Sequence, residues 1–253
     1  MTRLVVVGAA GKMGRAVTET AWGDAGFQVK ACVDPAGRPP WAGDAKWEAG
    51  LGAVLARGDV AIEFGGPEAA AAAARACAEC GAGLVSGSTG LSPAHEEAVR
   101  QASGEVAVLR AANFSLGILA LRRALGAALA GLPGWDVEIV ERHHRAKKDS
   151  PSGTALALAG DVAAARGLSA SSLRHGRNGT AGPRPAGEIG LHAVRGGSWV
   201  GDHVVLLAGD GEWVELRHVA QDRSAFARGA LAAAVFVSKA PPGLYHLEAA
   251  VMP

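Results

Sequence analysis

Apolar residues in the first half of the chain fall into short runs, each followed by a glycine-bearing turn and then a helix-period stretch. Leu4–Val7, Gln28–Val33, Val60–Phe64, Leu84–Ser86 and Val106–Leu109 read as buried strands. Arg15–Trp22, an alanine-rich stretch ending near Glu79, and a segment opening at Ser92-Pro93 read as the helices between them. Glu96 and Glu97 in the first turn of the last of these are a normal helix-start signal. Residues 35–58 mix Pro, Gly and charges with scattered apolar positions and read as a loop with a short helix. Strands alternating with helices imply a parallel sheet with helical faces.

After Leu116 the pattern changes. A helix runs to about Leu132 and stops at Pro133-Gly134; Val137, Ile139 and Val140 mark a strand, and 155–165 a helix. Then Ile189–Arg195, Asp202–Leu207 and Trp213–His218 follow as strands without helices between them, joined by turns at Gly196-Gly197 and Asp210-Gly211. That implies an antiparallel or mixed sheet and a second domain. The segment from Arg174 to Pro185, rich in Arg, Gly and Pro, reads as a long mobile loop. A closing helix opens near Ser224 and should return to the first domain. The fold class is therefore α/β. A Rossmann-type dinucleotide-binding domain covers 1–115 and 224–253, and a separate α+β domain covers 116–223. The crossings near Ser115 and Ser224 are natural hinges for closure over a substrate.

The first strand runs into Gly8-Ala9-Ala10-Gly11-Lys12-Met13-Gly14, a G-x-x-G-x-x-G loop placed between strand and helix. Glycines there permit a tight turn and let backbone N–H groups meet a pyrophosphate at the helix start. Asp34 ends the second strand about 20 residues beyond the loop, where an acid binds ribose hydroxyls. It favours NADH and repels the extra phosphate of NADPH; Lys12 and Arg38 are available to offset that, so both cofactors are expected, NADH used well. Gly87-Ser88-Thr89-Gly90 brings small residues to another strand end, suited to a ligand lying on backbone. Cys77 and Cys80 form a C-x-x-C with no second pair to complete a zinc site, and i,i+3 spacing in an alanine helix is more simply a buried face.

Composition narrows the classes. The 253 residues suit two modest domains, and a hydrophobic fraction of 49% with a net charge of +1 argues for a soluble globular protein that binds no nucleic acid through bulk charge. No apolar run reaches membrane-spanning length, the amino terminus carries no signal-peptide pattern, and three cysteines fit a reducing cytoplasm.

The densest chemistry lies in Glu141–Ala155, E-R-H-H-R-A-K-K-D-S-P-S-G-T-A, a strand-to-helix loop. Histidine exchanges a proton near neutrality. Neighbouring His143 and His144 cannot point the same way on an extended backbone, so one can bind while the other donates. Lys147 offers a compact cation for a carboxylate or a developing anion. Ser152, Gly153 and Thr154 open a helix whose free N–H groups form an anion site. Together they suit a small carboxylate-bearing molecule that must be protonated. His192, His203 and His218 on the later strands read as sheet-face or interface residues, and no metal site is expected.

That loop resembles the signature of the dihydrodipicolinate reductase family, E-x-H-H-x-x-K-x-D-x-P-S-G-T-A, matched by Glu141, His143, His144, Lys147, Asp149 and Pro151 through Ala155. Gly87-Ser88-Thr89-Gly90 and Ala111-Ala112-Asn113-Phe114-Ser115 resemble the family's nicotinamide-side segments, and 223–230 resembles its R-x-x-F-A-x-G-A run. The resemblance implies NAD(P)H-dependent reduction giving tetrahydrodipicolinate in lysine biosynthesis, without a metal, by a homotetramer built on the second-domain sheet. It implies cofactor contacts from Gly8, Ala9, Ala10, Gly11, Lys12, Met13, Asp34, Gly87, Ser88, Thr89 and Ala111 to Phe114, with Ala112 and Asn113 among them. It implies substrate contacts from His144, Lys147, Gly153 and Thr154, and catalysis by His143 and Lys147. Which of those two gives the proton stays open. One departure stands out: the family has Asp-Phe-Thr or Asp-Phe-Ser where this chain has Glu63-Phe64-Gly65, which puts the local cofactor contacts in doubt. Two rivals differ in class. A semialdehyde dehydrogenase would need a nucleophilic Cys at the nicotinamide, and none stands in such a loop; an NAD-sensing binding protein would not need the full His-His-Lys-Pro-Ser-Gly-Thr set.

Overall fold

The computed structural model describes residues 1–251 and divides into two compact units, Met1–Leu116 with Arg223–Pro253, and Gly117–Asp222. In the first unit the strands are β1 (Thr2–Val7), β2 (Phe27–Val33), β3 (Trp47–Glu48), β4 (Val60–Glu63), β5 (Gly83–Ser86), β6 (Ala107–Arg110) and, near the end of the chain, β12 (Gly243–Tyr245). They form one sheet in the order β12-β6-β5-β4-β1-β2-β3, and every pairing is parallel. Order reverses at β1, so the crevice for a ligand falls at the carboxyl ends of β1 and β4. Leu4, Val5 and Val6 are wholly buried because both faces of a central parallel strand are covered. Two short elements escape sequence reading: β3 and β12 are too brief to show a period.

The helices of this unit are α1 (Lys12–Trp22), α2 (Pro67–Cys80), α3 (Pro93–Ala102), α6 (Ser224–Val237) and the short α7 (Leu247–Val251). Helix α1 starts three residues earlier than its periodicity suggests, so Lys12, Met13 and Gly14 are its first turn. Helix α2 follows Gly66, carries Pro67 in its first turn, and ends at left-handed Gly81. Its inner face is Ala70, Ala71, Ala73, Ala74 and Cys77, small groups that let the helix lie close to the sheet. Cys77 is fully buried and burial pushes its thiol far up, so the C-x-x-C is packing. Helix α6 is small on nearly every side. A Cβ on Gly229 would meet the Phe114 carbonyl oxygen at 1.8 Å, which makes glycine obligatory where this helix touches that loop.

The second unit contains α4 (Leu116–Gly131, whose first residue belongs to the other unit), β7 (Asp136–His143), α5 (Gly153–Arg166), β8 (Leu173–Arg174), β9 (Ile189–Arg195), β10 (Gly201–Ala208) and β11 (Trp213–Ala220). Their sheet has the order β11-β10-β7-β9-β8 and is mixed: β10 is antiparallel to β7 and β11, while β9 is parallel to β7 and β8. One face packs Val137, Ile139, Ile189, Leu191, Val205 and Leu207 against Leu125 of α4 and Leu158 and Val162 of α5. Truncating such a fully buried Leu to Ala costs about 2–5 kcal/mol.

The stretch 175–188 is irregular but tied to the sheet. Arg177 and Arg184 both bind Glu138, and Arg184 reaches Asp136 at 2.5 Å. Gly190 makes room for this: a Cβ there would fall 1.7 Å from the Glu138 carboxylate.

Candidate active site

Five loops converge at the carboxyl edge of the parallel sheet. Gly8 has φ +75°, and a Cβ on it would lie 2.6 Å from the backbone of Gly65. A Cβ on Gly14 would lie 2.2 Å from the Gly8 carbonyl oxygen, so α1 can begin against the turn only with glycine there. This bare backbone, opening a helix, fits a dinucleotide pyrophosphate. Asp34 stands beside it. One carboxylate oxygen accepts from the Ala10 N–H and the other from the Ala36 N–H, each at 2.9 Å, so the acid also braces the glycine loop. Lys12 is exposed, whereas Arg38 is turned onto the Gly43 carbonyl.

The departure at Glu63-Phe64-Gly65 has a packing explanation. A Cβ on Gly65 would fall 2.7 Å from the Ala69 side chain and 3.4 Å from Gly8, so the close contact between the glycine loop and α2 leaves no room for a hydroxyl-bearing side chain. Glu63 is fully buried and accepts from Ser86 at 2.8 Å, Ser88 at 2.6 Å and the Gly65 N–H at 2.5 Å. Burial pushes its carboxyl up despite these bonds. The Ser88 hydroxyl also accepts the Gly66 N–H at 2.8 Å and so ties two loops together. Gly87 lies flat on Phe64, with no space for a Cβ, and Phe64 meets Phe114 edge-on at 5.6 Å. Thr89 and Ala112 are exposed on the same edge, with Ala111 and Asn113 half-buried.

The second constellation sits on the inner face of the mixed sheet. Strand β7 alternates, so Val137, Ile139, Glu141 and His143 share that face; its first half is core and its second half is polar. Glu141 is fully buried. Arg195 grips it with two bonds, 2.8 and 2.7 Å, the Ser152 N–H donates at 3.0 Å, and His143 Nδ1 lies 2.5 Å away. Arg195 is the register partner of His143 on β9, and also donates to the Asp149 carbonyl at 2.7 Å. Ser152 caps α5 by accepting the Ala155 N–H, and its hydroxyl meets His203 Nε2 at 3.2 Å. His203 meets His143 ring to ring, edge-on at 5.1 Å. His143 Nε2 has no protein partner among the described residues, and a Cβ on Gly201 would lie 3.3 Å from it.

Charges at this end are balanced. Burial alone would raise the Glu141 carboxyl, but the bonds from Arg195, His143 and Ser152 outweigh it and hold it low. Burial pulls His143 below the ordinary histidine range; the Glu141 carboxylate opposes this, while Lys147 and Arg195 reinforce it. Burial, aided by His143, takes His203 down to about 4, so it is neutral at ordinary pH. Lys147 pairs with the largely exposed Asp149 at 2.8 Å. His144 is half-buried and held by its own N–H to the Trp199 carbonyl.

Thus His143, His144, Lys147, Gly153 and Thr154 lie in the second unit, around one strand end and the helix it leads into. The proposed cofactor residues lie on the sheet edge of the first unit. Sequence reading missed Arg195 and His203 as members of this cluster, quoted Glu141 without a role, and gave Ser152 only the opening of the helix. Period-2 alternation was the available signal for Glu141, which stands two residues before His143 on the same face. The histidines of the later strands separate: His203 joins this cluster opposite His218 in register, while His192 binds Glu138 on the other face. Among the described residues no group of His, Cys, Asp or Glu is arranged to hold a metal ion.

Comparison with known proteins bears on the whole chain. Residues 2–114 match the family model "Dihydrodipicolinate reductase, N-terminus" and 117–251 match "Dihydrodipicolinate reductase, C-terminus". A curated relative from Thermomicrobium roseum, named 4-hydroxy-tetrahydrodipicolinate reductase, is 46% identical over 98% of this chain and 98% of its own. One of the same name from Caulobacter vibrioides is 42% identical over 97% and 95%. The fold is similar to that of a dipicolinate-bound dihydrodipicolinate reductase from Paenisporosarcina sp. TG-14, with a TM-score of 0.78, 22% identity and complete coverage of both chains. With both halves matched in order and close relatives spanning nearly its full length, the chain belongs to the dihydrodipicolinate reductase family.

Proposed function

We propose a division of labour for the reaction of this chain, the NAD(P)H-dependent reduction that yields tetrahydrodipicolinate on the diaminopimelate route to lysine. The first unit holds the nicotinamide cofactor along its sheet edge, through Gly8 to Met13, Asp34, Gly87 to Thr89 and Ala111 to Phe114. The cofactor, when bound, supplies the hydride. The second unit holds the dicarboxylate. His144 and Lys147 take one carboxylate or the ring nitrogen, and the first-turn N–H groups of Gly153 and Thr154 take the other. His143 delivers the proton that the reduced, enamine-like product requires.

One observation carries the reading of the second unit. A histidine with one ring nitrogen anchored and the other unpartnered stands beside a helix that opens with Ser-Gly-Thr and beside a lysine that can leave an exposed aspartate. Two substrate carboxylates raise the pKa of a histidine that burial has depressed, so the acid gains its proton as substrate arrives. Positioned general acids contribute about 10²- to 10⁴-fold, and orientation of the reactants supplies more.

Asp34 is the basis for expecting good use of NADH, with NADPH accepted through Lys12. The outer face of the mixed sheet, where Val194, Trp213 and Val219 are exposed beside the Arg142–Asp202–Arg217 ion cluster, is the surface for a homotetramer. The free cysteines Cys32, Cys77 and Cys80 fit a reducing cytoplasm. No described helix is long and apolar enough to cross a membrane.

The direct test follows loss of reduced nicotinamide absorbance with the aldolase product of pyruvate and aspartate semialdehyde as substrate, using NADH and NADPH in turn. Oxidation dependent on that substrate is expected with both. NADH that binds tightly but is not consumed would refute the assignment of the reaction.

A further inference from the structure

The acid proposed above is itself held by a second acid. Glu141 has no exposed surface, and its two oxygens receive four groups: both Arg195 terminal nitrogens, the Ser152 N–H and His143 Nδ1. Arg195 keeps the carboxyl ionised, and an ionised carboxylate can only accept. A ring nitrogen 2.5 Å from it must therefore carry the hydrogen. Nothing else in the cluster sets the ring in this way, since His203 meets it edge-on and Gly201 presents no side chain.

We propose that Glu141, clamped by Arg195, is a positioning residue that fixes His143 with its hydrogen on Nδ1, so that Nε2 is the atom that releases the proton to the substrate. The same carboxylate receives the Ser152 N–H, so it also sets the first turn of α5 relative to the acid. One buried group thereby ties the proton donor to the turn that binds a substrate carboxylate. The inference rests on His143 as the donor and names what orients it.

The charged and titratable groups facing His143 are Glu141 on its own strand, Arg195 on β9, His203 on β10, and Lys147 in the loop that follows. Of these only Glu141 favours the imidazolium. Its removal therefore lowers the pKa of His143 and moves the alkaline limb of the kcat/KM profile to lower pH.

Two measurements test this. Glu141→Gln keeps the shape and removes the charge, and its amide can turn an N–H toward Nδ1. It should lower kcat roughly tenfold or more, leave KM for NADH unchanged, and shift the alkaline limb downward. Native kcat with a native pH profile would overturn the proposal. Because Glu141→Gln also takes the charge partner from Arg195, the second measurement uses the unaltered chain and is independent of that variant's folding. Nitrogen-15 histidine spectra, with the His143 signals identified by their loss in His143→Gln, should show neutral His143 protonated on Nδ1 and bare on Nε2. A hydrogen on Nε2 overturns the proposal whatever the kinetics. Unaltered turnover by His143→Gln would instead remove the donor assignment, and is a separate failure.

Discussion

The two sheet ends to which we assign cofactor and substrate are built in opposite ways. In the first unit the edge of the parallel sheet is shaped by what is missing: Gly8, Gly14, Gly65 and Gly87 stand where any Cβ would strike a neighbour. In the second unit the end of the mixed sheet is shaped by what is present, a buried lattice of Glu141, Arg195, His143, Ser152 and His203. A dinucleotide needs backbone close to its phosphates. A small dicarboxylate that must be protonated needs oriented side chains of set charge. Steric room and charge are different resources, and each end should fail in its own way when altered.

The largest effect should come from filling the bare end. Gly14→Val places atoms on the Gly8 carbonyl and should weaken NADH binding by more than about 100-fold, measured by titration of cofactor fluorescence, since a distorted helix start loses its anion site. Native affinity would show that the glycine loop tolerates bulk. Next come changes at the charged end. His143→Gln should lower kcat by at least about tenfold with little change in NADH binding, and Lys147→Ala should lower kcat and raise KM for the dicarboxylate together. If Lys147→Ala lost kcat alone and His143→Gln lost neither, the proton would come from the lysine. Asp34→Ala should change the ratio of kcat/KM for NADH over NADPH several-fold toward NADPH; an unchanged ratio would leave the acid as a brace for Ala10 and Ala36 only.

The smallest effect concerns stability. Burial would raise the Glu138 carboxyl, but bonds from Arg177, His192 and Arg184 hold it down at about 2 against an ordinary 4.5. A depressed carboxyl stabilises the fold above its unfolded pKa and loses that contribution as pH falls through the folded one. The melting temperature should therefore drop between about pH 4.5 and 2, and Glu138→Gln should flatten that slope. An equal slope in both would show that the ion cluster adds nothing.

Much of the first unit was legible in the sequence because its signals are local. A glycine loop after an apolar strand, an acid at the next strand end and small residues at two more specify positions along one chain direction, and a parallel sheet brings them to one edge. The His-His-Lys-Pro-Ser-Gly-Thr stretch was legible for the same reason. At Glu63-Phe64-Gly65 the sequence shows the loss of the family's hydroxyl beside the cofactor loop, and nothing more of Glu63. Its link to Ser86 and Ser88 could not be seen, because strand pairing brings together residues more than twenty positions apart.

The sequence by itself determined the order of the longer strands and helices, the glycine-bearing turns and helix starts between them, and the residues able to exchange protons, all of which follow from periodicity and side-chain type. Tertiary structure decided which of them act together. Arg195 reaches Glu141 only because β9 lies parallel to β7, and His203 reaches Ser152 only because β10 folds back on the other side. Those pairings depend on long-range packing of the sheet against α5, and no local pattern encodes them. The same packing then set the charges: burial keeps His203 neutral, and against the pull of burial the bonds from Arg195, His143 and Ser152 keep Glu141 ionised.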